Sequence, residues 1–380
     1  MASSNDRAAA YRTLGVKPAI TASGPTTAYG GTKLRPEVHA AMNAASQVMV
    51  DMGELNDAAG EVIARHTGAE AGMVTSGSAG ALVLQAAAVV AGADKAQMKR
   101  LPDTTGMKNE IIIHNLHRFP YDQCYTSVGA KLVGVGDFLR CLPWELESAI
   151  NENTAAIAYL VAPFVAPYAM PLPEVAEIAH AHNLPVIVDA ASMVPPRENL
   201  TKYINEGADM VIFSGGKAIR GPQGTGILAG RKDLIEAARA NGSPNQFIGR
   251  GMKVTKEEVV GLVEALNTFV TEDEDAENAA FREKSQRVVD ALIEMPGLDV
   301  EVRHNKKDWL IPSAVIRFTD EWTGASRESV LKGMENGGDT KIFLHWLAGP
   351  DTLAVDPLNL DDDEVEVVIS RLREELLRNE

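Results

Sequence analysis

Several features that define other classes of protein are scarce in this chain of 380 residues. Its only cysteines, Cys124 and Cys141, match neither the spacing of a metal site nor that of a redox motif. We therefore expect reduced thiols in a cytoplasmic protein. The longest apolar run, Ala79 to Ala91, is too short to span a membrane and contains Gln85, so it predicts a buried helix instead.

Basic residues are also in deficit. The chain has 36 Lys and Arg against 52 Asp and Glu, which gives a formal net charge of -16. A protein that binds nucleic acid or an anionic membrane needs a basic surface, because both partners carry negative phosphates. We therefore expect neither partner and look for a small-molecule ligand. The first residues are not followed by the apolar stretch of a signal peptide.

From about residue 71 the chain alternates short apolar runs with stretches of helical length. Runs rich in Val and Ile, separated in this way, are typical of an α/β fold with a mostly parallel sheet flanked by helices. One predicted helix spans residues 172–183. The predicted strands are residues 72–75, 111–114, 131–133, 156–160, 185–189, 210–213 and 226–229.

The length of the chain and its 45% hydrophobic content predict two domains. We assign residues 1–45 to an N-terminal segment, 46–284 to the large α/β domain and 285–380 to a smaller α+β domain. A helix over 259–266 would lead out of the large domain, and the acidic run 272–275 would form a solvated surface within or beside that helix. The smaller domain is predicted to contain helices at 285–294 and 363–378 and strands at 299–302 and 314–318.

Asp189 and Lys217 are the most informative residues. Asp189 ends one predicted strand, and Lys217 lies in the turn Ser-Gly-Gly-Lys after the next strand. This arrangement suits pyridoxal 5'-phosphate (PLP), because a carboxylate holds the pyridine nitrogen protonated and a desolvated lysine forms the Schiff base. A lysine in a Gly-rich turn is more often a solvated surface residue, so the prediction depends on the pair.

A possible phosphate site follows the first predicted strand, in the segment Thr75 to Ala81. Its small residues let the backbone approach an anion, and the helix that begins here offers free N–H groups. Ser76, Gly77 and Ser78 are the candidate contacts, and Ser214 is a further one. The alternative is an ordinary Ser cap of the helix.

Two histidines, His114 and His117, follow the second predicted strand, where α/β proteins place ligand-binding loops. A flat imidazole is suited to stack on a cofactor ring, and His117 is the better candidate because His114 still belongs to the strand. The His-x-x-His spacing also permits a metal site, but no further ligands lie nearby, so no metal is expected. Packing or helix capping by both histidines is the other alternative.

These segments together resemble the fold-type I PLP enzymes, in the branch that contains selenocysteine synthase and D-glucosaminate-6-phosphate ammonia-lyase. The resemblance covers nearly the whole chain, and its signatures include residues 75–80, 188–191, 214–223 and 249–254. It implies Lys217 as the Schiff-base lysine, Asp189 as the pyridinium partner, and a homodimer or larger assembly. It also implies that Ser76, Gly77, Ser78 and Ser214 bind the cofactor phosphate. The family commonly has Asn where Thr21 stands.

The expected function is that of a PLP-dependent lyase acting on a small amino acid or amino sugar acid. It would remove the α-proton and eliminate a β-substituent, releasing ammonia and a 2-oxo acid, with Lys217 as proton shuttle. Arg220, Arg250 and Arg317 are candidates to bind a substrate carboxylate or phosphate. A racemase, an aldolase and an inactive PLP-binding regulatory protein are the alternatives.

Overall fold

The computed structural model describes residues 8–163, 165, 168–305, 308–338, 340–345 and 349–378. The chain divides into a smaller unit, Met1–Lys33 with Asp273–Glu380, and a larger unit, Leu34–Glu272. The larger unit thus begins at residue 34 where the sequence suggested 46, and ends at 272 where it suggested 284. The described residues 8–33 belong to the smaller unit, whereas the sequence suggested a separate N-terminal segment.

The elements are numbered along the chain. The strands are β1 Ala19–Ala22, β2 Ala71–Ser76, β3 Glu110–His114, β4 Lys131–Val135, β5 Thr154–Leu160, β6 Val186–Asp189, β7 Met210–Ser214, β8 Thr225–Gly230, β9 Leu298–Arg303, β10 Ser313–Phe318, β11 Lys341–Leu344 and β12 Thr352–Val355. The α-helices are α1 Ala9–Thr13, α2 Pro36–Ser46, α3 Met52–Thr67, α4 Gly77–Ala91, α5 Lys95–Arg100, α6 Asp122–Thr126, α7 Pro143–Ala149, α8 Leu172–Ala181, α9 Asn199–Asn205, α10 Lys232–Asn241, α11 Lys256–Thr271, α12 Glu274–Leu292, α13 Arg327–Asn336 and α14 Asp362–Leu376.

The larger unit is built on a seven-stranded sheet of order β2-β8-β7-β6-β5-β3-β4. Strand β8 is antiparallel to both of its neighbours, and the other neighbouring strands are parallel. Each predicted strand between residues 72 and 229 matches one of these seven, and only residue 185 falls outside the observed bounds. The prediction of a mostly parallel sheet is therefore confirmed.

Helices cover both faces of this sheet. Successive residues of a strand point to opposite faces, so Val211 and Phe213 enter one hydrophobic cluster, with α3, α8 and α11, while Met210 and Ile212 enter the other, with α4 and α10. The predicted buried helix is α4, and its Gln85 donates from Nε2 to the carbonyl oxygen of Val188 at 3.5 Å. Because α4 begins directly after β2, its N-terminus lies at the carboxyl end of that strand.

The smaller unit contains an antiparallel sheet of order β12-β10-β9 and a parallel pair, β1 with β11. The predicted strands at 299–302 and 314–318 lie within β9 and β10, but α12 begins at Glu274, eleven residues before the predicted start. The reason is the acidic run. Asp273 accepts hydrogen bonds from the amides of Asp275 and Ala276, and the carboxylates that follow favour a helix N-terminus.

We predict that the contact between α3 and β2 is sensitive to a single methyl group. A Cβ atom on Gly60 would lie 2.4 Å from the carbonyl oxygen of Gly72. Gly60→Ala should therefore lower the free energy of unfolding by about 1–3 kcal/mol, as measured by denaturant titration. Glu61→Ala, on the exposed side of the same helix, should change it by less than about 0.5 kcal/mol. Equal effects of the two substitutions would contradict this packing.

Candidate active site

The candidate residues that the sequence predicted in the larger unit lie where the parallel strands of its sheet end. Asp189 ends β6, where it is the register partner of Leu160 on one side and Ile212 on the other. Gly226 of β8 pairs with both Thr75 and Ser214, so β2 and β7 end at this same edge, about 10 Å apart. The carboxyl ends of parallel strands are where open α/β sheets bind ligands.

Asp189 and Lys217 form the charged centre of this edge. Burial raises the pKa of Asp189, while the amide of Ala191, donating to its Oδ1 at 3.0 Å, and the charge of Lys217 lower it. Burial lowers the pKa of Lys217, and the charge of Asp189 partly offsets this effect. No described residue donates to Oδ2 of Asp189, so this oxygen is available to a cationic N–H group of a ligand.

The loop between β7 and β8 holds Lys217 through close backbone contacts. The amide of Arg220 donates to the carbonyl oxygen of Lys217 at 2.8 Å, and that of Gly221 donates to Gly215 at 2.8 Å. A Cβ atom on Gly216 would lie 2.5 Å from Cα of Gln223. The glycines of the Ser-Gly-Gly-Lys turn are therefore required by this folded-back loop.

The N-terminus of α4 has the features of an anion site. Ser76, Gly77 and Ser78 are half-buried, and the first N–H groups of a helix have no intrahelical acceptor. Ser76 makes no side-chain capping bond, which disfavours the alternative of an ordinary Ser cap. Gly77 has φ +67, and a Cβ atom there would meet nothing within 4 Å. The space in front of the helix is therefore open to a phosphate.

His117 contacts Leu160, the register partner of Asp189, and is only 1% exposed. The amide of Leu160 donates to its Nδ1 at 3.3 Å, so the ring proton is on Nε2, which has no partner among the described residues. The His114 ring packs against the His117 ring with 4.7 Å between their centroids. The Tyr159 ring contacts the His117 ring edge-on, with 4.6 Å between their centroids. Burial, followed by His114, lowers the pKa of His117 to about 3. The ring is therefore neutral.

Sequence reasoning missed three side chains near this centre. Lys217 donates from Nζ to the hydroxyl of Ser192, three residues after Asp189. Burial raises the pKa values of Cys124 and Tyr125, and the charge of Asp189 raises them further, so both lie within reach of its field. The small residues that follow Asp189 were a usable signal for Ser192. Cys124 and Tyr125 precede β4 and carried no such signal.

The three candidate arginines differ in their surroundings. Arg250 is exposed, and its guanidinium makes no ion pair with a described residue. Arg220 adopts φ 60 within the Lys217 loop. Arg317 belongs to the smaller unit, where it binds Asp299 at 2.5 Å, so its charge already has a partner. Arg250 is thus the most available anion ligand of the three.

Over the described part of the chain, no group of three or more His, Cys, Asp and Glu side chains is placed to hold a metal ion. Both cysteines are free thiols. In the same residues we find no helix with the length and apolar character needed to cross a membrane.

Comparison with known proteins shows the family of the chain. The class-V aminotransferase family matches residues 114–308, a range that includes His117, Asp189 and Lys217. The chain belongs to this family. The predicted PLP cofactor and the predicted enzymatic character are thereby confirmed.

Relatives of known function extend along the whole chain. The D-glucosaminate-6-phosphate ammonia-lyase of Salmonella typhimurium is 32% identical over 96% of this chain and 97% of its own. The solved structure of D-glucosaminate-6-phosphate ammonia-lyase has a TM-score of 0.85 and 31% identity, covering 97% of this chain and 98% of that one. A 5'-C-glycyluridine monooxygenase-decarboxylase from Streptomyces is 32% identical over 97% of this chain and 92% of its own.

An L-seryl-tRNA(Sec) selenium transferase of Desulfovibrio desulfuricans matches less of the chain, with 31% identity over 48% of this chain and 38% of its own. These comparisons confirm fold type I and the expected branch, and the ammonia-lyase match supports the expected lyase function. The residues at the sheet edge fit PLP. A buried carboxylate oxygen without a protein donor, a lysine of lowered pKa and an open helix N-terminus match the ring nitrogen, the aldehyde and the phosphate.

We predict that Asp189→Asn lowers the pKa of Lys217 further, because the carboxylate charge is what opposes the effect of burial. The pKa of Lys217 in the apoprotein can be measured by mass spectrometry after labelling with an amine-reactive reagent over a range of pH. Asp233→Asn, which removes a carboxylate paired with Arg231, is the control and should leave Lys217 unchanged. An unchanged or higher pKa in Asp189→Asn would contradict the pairing.

Proposed function

We propose that this protein is a PLP-dependent ammonia-lyase for an amino sugar acid or a related β-hydroxy amino acid. It removes the α-proton, eliminates the β-hydroxyl and yields ammonia and a 2-oxo acid. The observation that carries the proposal is the pair formed by the buried Asp189 and the half-buried Lys217, together with the open N-terminus of α4. The full-length likeness to an ammonia-lyase supports the reaction type.

Asp189, Lys217 and Ser192 have separate roles in this reaction. PLP supplies an electron-withdrawing ring for the α-carbon of an attached amino acid. Asp189 Oδ2 would accept a hydrogen bond from the protonated ring nitrogen, and its negative charge would keep the ring cationic. Because burial lowers the pKa of Lys217, more of its Nζ is neutral at a given pH and able to take the α-proton. Ser192 Oγ accepts a hydrogen bond from that Nζ and orients it.

Phosphate binding falls to Ser76, Gly77 and Ser78, with Ser214 as a further ligand. The side chains of Ser76 and Ser214 make no hydrogen bond to a described residue, so both hydroxyls are available. We assign Arg250 to a substrate carboxylate or phosphate, since a guanidinium binds these groups with two parallel hydrogen bonds. The stacking role of His117 remains part of the proposal.

The names of two full-length relatives support the substrate class. Glucosaminate and glycyluridine both denote an amino acid joined to a sugar framework. Oxidative decarboxylation, the chemistry in the second name, is the competing reaction for this scaffold. The two differ in their products, so a product analysis separates them.

We also propose a cytoplasmic homodimer or larger homo-oligomer. Unpaired cysteines support the location. Support for the assembly comes from Val48, Met49 and Val50, three consecutive side chains between α2 and α3 that are 61%, 86% and 53% exposed. Adjacent exposed apolar side chains of this size mark an interaction surface.

Met49→Glu should shift the assembly toward the 40.7 kDa monomer, because a charge at the centre of an apolar contact costs its desolvation. Light scattering measures the mass directly. Val367→Glu changes a single exposed apolar side chain in α14 and should leave the mass unchanged. A fully active wild-type monomer would rule out the assembly.

The reaction is tested with D- and L-β-hydroxy amino acids and amino sugar acids in heavy water. We expect ammonia, a 2-oxo acid and solvent deuterium at C3 of the product. Lys217→Ala should lower kcat by about 10²–10⁴-fold, because the proton-transfer group is lost. Lys232→Ala, an exposed lysine at the start of α10, is the control and should retain activity.

Each competing function predicts a different result. A racemase exchanges the α-proton without releasing ammonia, and an aldolase releases an aldehyde. An oxidative decarboxylase consumes oxygen and releases carbon dioxide. A regulatory PLP-binding protein turns over none of the substrates. Any of these results, with no ammonia from every β-hydroxy amino acid tested, would exclude the lyase.

A further inference from the structure

Arg35 binds the Lys217 loop from outside the site. It precedes the first residue of α2, and its side chain is 6% exposed. Its Nη1 donates to the carbonyl oxygen of Ile219 at 3.0 Å, two residues after Lys217. Its Nε donates to Oε1 of Glu272 at 3.1 Å, and its Nη2 donates to Oε2 of the same carboxylate. One planar guanidinium thus binds a carboxylate with two bonds and a carbonyl with a third.

Helix α11 forms the surface on which the Lys217 loop rests. A Cβ atom on Gly215 would lie 2.6 Å from Leu262 Cδ1, and one on Gly221 would lie 3.0 Å from it. A Cβ atom on Gly261 would lie 2.9 Å from Pro222. Glu272 is the C-terminal cap residue of this helix. By binding Glu272 and Ile219 together, Arg35 joins the end of α11 to the loop that the helix supports.

The ion pair of Arg35 and Glu272 also joins the two ends of the larger unit. This unit begins at Leu34 and ends at Glu272, so Arg35 and Glu272 stand at its two ends although 237 residues separate them. Arg197 adds a second guanidinium, whose Nη2 lies 3.7 Å from Glu272 Oε2. The loop of Lys217 is therefore held by contacts between segments that are remote in sequence.

We propose that Arg35 is a positioning residue for Lys217. Its hydrogen bond fixes the carbonyl group of Ile219 and thereby the path of the loop. The loop in turn directs Nζ of Lys217 toward the carboxyl ends of the parallel strands. The inference rests on the proposed function only in taking Lys217 as the lysine that binds the cofactor. A lysine at position 35 retains the charge but, as a point charge, cannot bind Glu272 with two bonds and Ile219 with a third.

Hydrogen exchange of the apoprotein tests the proposal without reference to activity. In Arg35→Lys the amides of Arg220, Gly221 and Thr225, which are bonded within the loop, should exchange at least about tenfold faster. Amides of β7 should exchange at the wild-type rate. Arg231→Lys, which alters an arginine paired with Asp209 and Asp233, is the matched control and should leave the loop unchanged.

A second readout separates positioning from general stability. In the cofactor-loaded protein, Arg35→Lys should lower kcat by about ten- to a hundred-fold with little change in KM, since the lysine is displaced but the anion ligands are not. Glu272→Gln removes the ion pair and should accelerate loop exchange to a smaller extent, which decides the question if Arg35→Lys does not fold. Wild-type exchange of the loop amides in the folded variants would overturn the proposal, whatever the reaction proves to be.

Discussion

The site of the larger unit depends on the pairing of two opposite charges, those of the buried Asp189 and the half-buried Lys217. Burial disfavours the charged form of both groups, so it raises the pKa of Asp189 and lowers that of Lys217. The charge of each residue partly offsets the effect of burial on the pKa of the other. Removing two ions from water costs several kcal/mol each, and only fixed geometry lets their attraction offset it. Fixed geometry is what the surrounding elements provide. Asp189 ends a strand with hydrogen-bonded neighbours on both sides, and Lys217 stands in a loop whose glycines allow no spare space.

The antiparallel strand β8 brings the lysine loop and the start of α4 close together. Because β8 returns antiparallel between β7 and β2, its Gly226 faces the ends of both strands. A Cβ atom at this position would lie 2.5 Å from the backbone of Gly77. The start of α4 therefore approaches β8 as closely as backbone atoms permit. The lysine loop and the helix N-terminus are thus brought to one edge of the sheet by a single strand.

The sequence predicted the parts of the structure that depend on local patterns. Runs of Val and Ile predicted the seven strands of the large sheet, and the turn glycines predicted the lysine loop. The short strands β1 and β11 were not predicted, because each has four residues and Ala19 pairs with the distant Lys341. Arg35 was missed for the same reason, since its contact with Ile219 spans 184 residues. The sequence left open whether His117 packs or stacks on a ligand, because its contact with Tyr159 spans 42 residues and no local pattern records it.

The choice of reaction depends on a different set of groups from those that bind the cofactor. Two relatives with equal identity to this chain are named for an elimination and for an oxidative decarboxylation. The carboxylate and lysine that activate the α-carbon serve either chemistry, so they cannot distinguish the two. What distinguishes them is where the next proton goes and whether oxygen reaches the activated carbon. Ser192, whose hydroxyl accepts a hydrogen bond from Nζ of Lys217, is a side chain in a position to influence the path of that proton. A hydroxyl hydrogen-bonded to the lysine can relay a proton to a departing hydroxide, a step that an elimination requires and an oxidative decarboxylation does not.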